Sequence, residues 1–194
     1  MSTLDKEAPA RPYHHGDLKA ALVAAAAQLL AEGGLAVISL REVARRAGVS
    51  HNAPYRHFPD RDSLLAALAA QAFHDLADWT RASGSQGLAA LGQRYVEFAL
   101  AHPGRFALMF SAALDKARYP ELQQAATELY ELLGQTVRAA APTRDPLVAT
   151  LAAWSLVHGL AQLLLDQQLS EAMRGDLSAT ELSQRVTRLF AESL

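Results

Sequence analysis

Residues 38–65, ISLREVARRAGVSHNAPYRHFPDRDSLL, constrain this chain more than any other stretch. Ser39 followed by Glu42 reads as an N-terminal capping box, with Ile38 and Val43 as the apolar pair that fixes the chain's entry. A short helix then runs through Arg45 and Arg46 to Ala47. Gly48 ends it, because glycine tolerates the positive φ that a helix stop needs. Val49 plugs the turn, and Ser50 caps a second short helix over residues 51–57. Phe58-Pro59 closes that helix, since the residue before a proline is driven out of the helical region. Asp60 caps a third.

Two short helices joined by a glycine-centred turn make a helix-turn-helix, the unit that lays its second helix in the major groove of DNA. Ala44 and Ala47 allow the two helices to cross closely. The second helix is too polar for a core, with His51, Asn52, Arg56 and His57 around Tyr55. The N–H groups at its start suit phosphate. Pro54 at the fourth helical position removes only the bond to the cap's carbonyl. The bland alternative is an ordinary helical hairpin with a solvated polar face.

The rest of the chain reads as all-α. It has 194 residues, 51% apolar and 20% charged, with abundant alanine and no β-branched run. There is no cysteine, so disulfides and thiolate metal sites are excluded. We read no apolar run of about 18 residues without charge and no signal peptide, which makes a cytoplasmic, membrane-free protein the expectation. The net charge of −2 does not announce a nucleic-acid partner. Residues 1–62 carry +1 and residues 63–194 carry −3, and His14, His15, His51 and His57 can add charge near phosphate.

Residues 1–12 read as a disordered tail in which Lys6 and Arg11 can touch DNA as an arm. His14 and His15 lack further ligands at metal-binding spacing. A first helix over residues 17–32 repeats Leu18, Leu22, Ala25 and Leu29 and stops at Gly33-Gly34. A long helix over residues 61–83 runs from the helix-turn-helix unit into the remainder, with Leu64, Leu65, Leu68, Ala72, Leu76 and Trp79 inward. Residues 83–87 are a linker.

Further helices are expected over residues 88–101, 105–110, 120–140 and 146–169, and one opens at Ser178 with a capping box to Glu181. The helix over 146–169 is apolar on nearly every face, so its outer side should meet a second subunit. The final two helices would pair with their copies as a four-helix bundle, through Val157, Leu160, Leu164, Leu182, Val186 and Leu189. Trp79, Tyr95, Phe98, Met109, Phe110, Trp154 and His158 are candidates to line a ligand pocket.

Residues 13–70 resemble the DNA-binding domain of the TetR/AcrR family of bacterial transcriptional regulators. The resemblance rests on Ser39-Leu40-Arg41-Glu42-Val43-Ala44, Ala47-Gly48-Val49-Ser50, Tyr55-Arg56-His57-Phe58 and Asp60-Arg61-Asp62-Ser63-Leu64-Leu65. Pro54 stands where an aliphatic residue is more usual, and Arg61 where lysine is. Residues 154–159, WSLVHG, resemble the Trp–His–Gly signature of one class of C-terminal domain in that family.

The resemblance implies a DNA-binding head over residues 13–62 and an effector-binding and dimerisation body over 63–194. It implies a homodimer on a near-palindromic double-stranded operator, and a repressor released by a small, largely apolar effector. Ser39, Tyr55, His57 and Arg61 are then expected at phosphates, and Arg41 and Ser50 are expected among the DNA-binding residues. His51, Asn52, Ala53 and Arg56 are expected at base edges. No cofactor is implied. GxSxG, HExxH, a phosphate-cradling loop and a dinucleotide fingerprint are all missing from the sequence, which argues against an enzyme. A helical adaptor for other proteins is the remaining alternative, and it has no need of the polar second helix.

Overall fold

The computed structural model describes residues 18–82 and 87–194. The expectations placed on the tail, on His14 and His15 and on most of the 83–87 linker lie outside these residues. Among the described residues there are helices and turns and no strand.

The head comprises α1 (Leu18–Gly33), α2 (Leu40–Arg46) and the first turns of α3 (Arg61–Arg81). Leu22, Leu29, Ile38, Val43, Phe58 and Leu64 are buried together as its core. Ser39 caps α2, accepting the Glu42 N–H at 3.1 Å. The Glu42 carboxylate turns to the Arg45 guanidinium instead of back to the cap, so only half of the expected capping box forms. Gly48 takes φ 69°, the conformation that ends α2 and that a side chain would resist.

The segment after the turn is not the expected α-helix. Residues 51–53 form turns, followed by a single 3-10 turn at Pro54–Arg56. Proline has no N–H to give the Ser50 carbonyl, which accepts from Ala53 at 2.9 Å instead. Three-residue spacing is then carried on by Arg56 to Ala53 and His57 to Pro54.

Asp60 and Ser63 form a reciprocal capping box at the start of α3. This helix has 21 residues and so spans about 30 Å. Leu64 and Leu65 near its start are buried in the head, while Phe73 and Leu76 are buried further along. Its widest packing is against α6 (Pro120–Ala140), and it also meets α4 (Leu88–Ala101) and α5 (Pro103–Met109). α5 opens two residues earlier than expected, with Pro103 in its first turn.

The body is completed by α7 (Pro146–Leu165), the one-turn α8 (Glu171–Arg174) and α9 (Ala179–Ser193). A 3-10 turn at Lys116–Arg118, capped by Asp115, lies in the connection between α5 and α6. α7 ends at Leu165 and not at residue 169. Gln167 adopts φ 54° there, without a glycine or asparagine to mark the stop.

α7 is a run of 20 residues without a charged side chain, long and apolar enough to cross a membrane. The expectation that no such run exists is therefore mistaken. In this fold the helix packs within the body against α4, α6 and α9.

The inward face of α7 also differs from expectation. Small residues point in: Ala149, Thr150, Ala153 and Ala161, with Val157 and Leu160. Gly92 explains why. A Cβ there would stand 3.0 Å from side-chain carbons of both Val157 and Thr187, so α4 crosses α7 and α9 too closely for larger groups. Val157 and Leu160 are 8% and 7% exposed within one chain and cannot supply an outer dimer face. Leu164, Leu182 and Val186 are partly buried against the same core. Of the six residues expected at the interface only Leu189 is fully open, at 70%. The apolar face left open on α7 consists of Leu147, Val148, Leu151 and Leu163. Gly159 lies on the same helix, with nothing within 4 Å of where its Cβ would be.

Candidate DNA-binding surface and effector cavity

The residues expected on DNA fall into three groups. Ser39, Arg41, Ser50, His51, Asn52, Tyr55 and Arg56 are exposed on the head, Tyr55 by 57%. Ala53 and His57 are half-buried; Ala53 packs on the core and the His57 ring tilts on Phe58 at 6.4 Å between centroids. Arg61 is exposed yet occupied, its guanidinium donating to the carbonyls of Ile38 at 2.8 Å and Leu35 at 2.6 Å. It thereby fastens the α1–α2 connection to the start of α3.

Ion pairing sorts the arginines of the head. Arg45 is bound to Glu42, and Arg46 grips Glu32 of α1 through both nitrogens at 2.7 and 2.6 Å. Each arginine holds its partner's carboxyl below the ordinary carboxylate range through that hydrogen bond. Arg41 and Arg56 have no ion pair among the described residues. Their guanidinium groups remain available to phosphate or to base edges, the planar fork being suited to both.

A cavity of about 210 Å³ lies in the body between α3, α4, α6, α7 and α9. Tyr95, Phe110 and Trp154 of the expected set line it. Trp79, Phe98, Met109 and His158 do not. Phe98 and Met109 are each 1% exposed and act as plain core. Trp79 stands edge-on to Phe98 and His102, and the Arg94 guanidinium lies 5.8 Å from its ring centre. Its buried indole N–H has no partner among the described residues.

His158 stands behind the cavity wall, in contact with it. Its Nδ1 lies 2.8 Å from the Tyr95 hydroxyl, which also accepts from the Trp154 indole N–H at 3.4 Å. Burial holds the His158 pKa below its ordinary value. In the neutral tautomer with its proton on Nε2, the ring can accept the Tyr95 proton at Nδ1. Burial also pushes the Tyr95 phenol well up, so it remains a hydroxyl. The three side chains form a fixed polar brace under an apolar wall.

The sequence reading missed the contribution of α6, which supplies Ala126, Leu129, Tyr130 and Leu133 to the lining. It also missed Phe73 and Thr80 from α3, Phe190 from α9 and Lys116. These residues sit at ordinary amphipathic or loop positions, and a void between helices leaves no mark on periodicity.

Residues 22–68 match the model of the TetR family of bacterial regulatory proteins, and residues 88–190 match a tetracyclin repressor-like C-terminal domain. That description does not name the Trp–His–Gly class. The HTH-type transcriptional repressor Rv3405c of Mycobacterium tuberculosis is 34% identical over 122 residues, covering 63% of this chain and 60% of that protein. The HTH-type transcriptional regulator Rv1816 of the same species is 33% identical over 103 residues, 49% of this chain and 44% of that one. The chain thus spans less than two thirds of these curated relatives. A solved structure of a protein of unknown function from Rhodococcus sp. RHA1 superposes with TM-score 0.79 at 32% identity, covering 95% of this chain and 99% of that one. A TetR/AcrR-family regulator from Thermobifida fusca has the same fold, with TM-score 0.64 and 22% identity over 90% of this chain. The matched families and named relatives are regulators and not enzymes.

Proposed function

Because the chain belongs to the TetR family of bacterial regulatory proteins, we propose that it is a cytoplasmic repressor freed from its operator by a small, largely apolar effector. Residues 13–62 form the DNA-reading head and residues 63–194 the effector and dimer body. The single observation that supports the effector reading is the double duty of α3. Its first turns pack in the core of the head, while Phe73 and Thr80, further along the same helix, line the cavity. A molecule in the cavity therefore presses on the element that carries the head.

The protein acts as a homodimer on a near-palindrome, since one short recognition segment reads too few bases alone. The open apolar face of α7, with Leu189 of α9, is where the second copy docks. Ser39, Arg41, Ser50, Tyr55, His57 and Arg61 lie along the backbone, with His51, Asn52 and Arg56 at base edges. Ala53, being half-buried, contributes through close approach.

The test is footprinting on DNA flanking the chain's own gene, with and without small apolar compounds. Protection of a near-palindrome that such a compound removes supports the reading. A second arm uses Leu129→Trp, which fills the cavity permanently and should mimic the effector or block it. A footprint indifferent both to every compound and to the filled cavity would overturn effector control.

A further inference from the structure

We infer that the effector carries an anionic head, a carboxylate or its like, and that Lys116 is the residue that selects it; this rests on the reading that the cavity is the effector site. The walls are aromatic and aliphatic, and most of their polar atoms are already engaged. The hydroxyls of Thr80 and Thr187 donate to carbonyls of their own helices. The Tyr95 hydroxyl is held between His158 and Trp154. Two lining residues carry a polar group without a side-chain partner among the described residues, Tyr130 its hydroxyl and Lys116 its ammonium. Both can donate.

Lys116 is unusual for a lysine. It is half-buried, whereas the residues that flank it in the same turn, Asp115, Ala117 and Arg118, are exposed. Asp115 cannot neutralise it, because its carboxylate is used to cap the turn through the Ala117 N–H at 3.1 Å. No carboxylate lies within 4.0 Å of the ammonium among the described residues.

An apolar guest that fills the cavity strips water from this charge. A neutral guest leaves the ammonium desolvated and unpaired, and a cationic guest adds repulsion. An anionic guest replaces the lost water with a charge-assisted hydrogen bond. The cavity of about 210 Å³ is smaller than the roughly 300–1,000 Å³ of sites for drug-sized ligands, so the apolar part is short.

The experiment titrates the full chain with octanoate, octanamide and octylamine, following tryptophan fluorescence and calorimetry, and repeats each titration with Lys116→Gln and Lys116→Arg. Octanoate should bind about 10- to 100-fold more tightly than octanamide, the span of one charge-assisted hydrogen bond. Lys116→Gln should erase that preference, weakening octanoate and tightening octanamide as the unpaired charge is removed, and Lys116→Arg should keep it. Equal affinities for the three compounds, or a preference that survives Lys116→Gln, overturns the inference while leaving the cavity as a binding site. No binding by any of them at millimolar concentration overturns both. Octanoate bound through Lys116 without any change in operator affinity upholds the ligand class and overturns effector control.

Discussion

Arg56 and Asn52 are exposed and, in the case of Arg56, unclaimed by any acid among the described residues, whereas Arg61 is tied to two carbonyls. Their substitutions should therefore separate. Arg56→Ala or Asn52→Ala should cost about 1–3 kcal/mol of operator binding and relax the preferred base at one position, with no change in melting temperature. Arg61→Ala should weaken binding to all sequences alike and also lower the melting temperature, because the Ile38 carbonyl loses the guanidinium donor and the Leu35 carbonyl keeps only the Ile38 N–H. Binding to an operator library beside thermal melts distinguishes the two; unchanged sequence preference in the Arg56 variant would remove it from the groove. The cavity brace makes a pH prediction. Burial lowers the pKa of His158 and, with help from the Arg105 charge, that of His102. Below the ordinary histidine value of 6.5 the unfolded chain takes up these protons more readily than the folded one. Stability should be full above that pH and fall as the pH drops toward the depressed values. His158→Asn should flatten part of that acid slope, and an identical slope would mean that His158 takes up its proton alike in the folded and unfolded chain. The exposure of Ser39, Arg41, Ser50, His51, Asn52, Tyr55 and Arg56 was legible in the sequence because capping and turn residues dictate which side chains point out. Lys116 was not, because nothing in a loop sequence shows that a lysine is half-buried beside a void.

At the level of elements, legibility followed punctuation. α4 and α6 begin and end where the sequence predicts, because Gly87, Pro103, Pro120 and Pro142 are explicit stops. The end of α7 was hidden, since Gln167 supplies the left-handed turn without glycine. The polar pattern of the recognition segment suits an α-helix, but its proline favours a 3-10 turn. Pro54→Ala restores an N–H that can reach the Ser50 carbonyl, so an α-turn should form over residues 51–57. Downfield Cα shifts there, with a slowly exchanging amide at position 54, are the expected observation. Unchanged shifts would mean that packing around the buried position 54, and not the missing donor, sets the 3-10 geometry. The inward face of α7 departs from its hydrophobic pattern for a steric reason. That pattern puts the largest apolar residues inward, but the buried face holds Ala149, Thr150, Ala153 and Ala161 beside Val157 and Leu160, with α4 closing on Val157 at Gly92, and Leu147, Val148 and Leu151 are turned outward. Leu151→Asp should therefore release folded monomers, as sedimentation can show. Val157→Asp should instead unfold the body, by about 3 kcal/mol or more, because it buries an unpaired charge. A folded monomer from Val157→Asp would restore Val157 to the interface.

For the whole molecule the question is how a void in the body reaches DNA. Head and body are joined by more than the linking helix. α1 packs on α5, and Lys19 of α1 holds both oxygens of Glu121 on α6 at 2.7 and 2.8 Å. That pair is exposed and worth at most about 1 kcal/mol, so α3 is the stiffer coupling. In a dimer the two heads must enter major grooves about 34 Å apart, or a multiple of that. A guest that wedges α3 away from α6 changes the separation of the heads. A preference of about 3 kcal/mol for the mismatched spacing lowers operator affinity on the order of 150-fold, within the ordinary range of coupling. Coupling of this kind is reciprocal, so operator DNA must weaken effector binding by the same factor. Trp154 lines the cavity, while Trp79 packs beside it on Phe98, and these are the chain's two tryptophans. Effector binding should change the intrinsic fluorescence, and Trp154→Phe should remove most of that change. The deciding measurement is effector affinity with and without saturating operator. A ratio near that of the operator affinities, measured with and without effector, establishes the switch. Equal affinities in the two titrations would mean that the guest, however tightly held, does not govern the DNA.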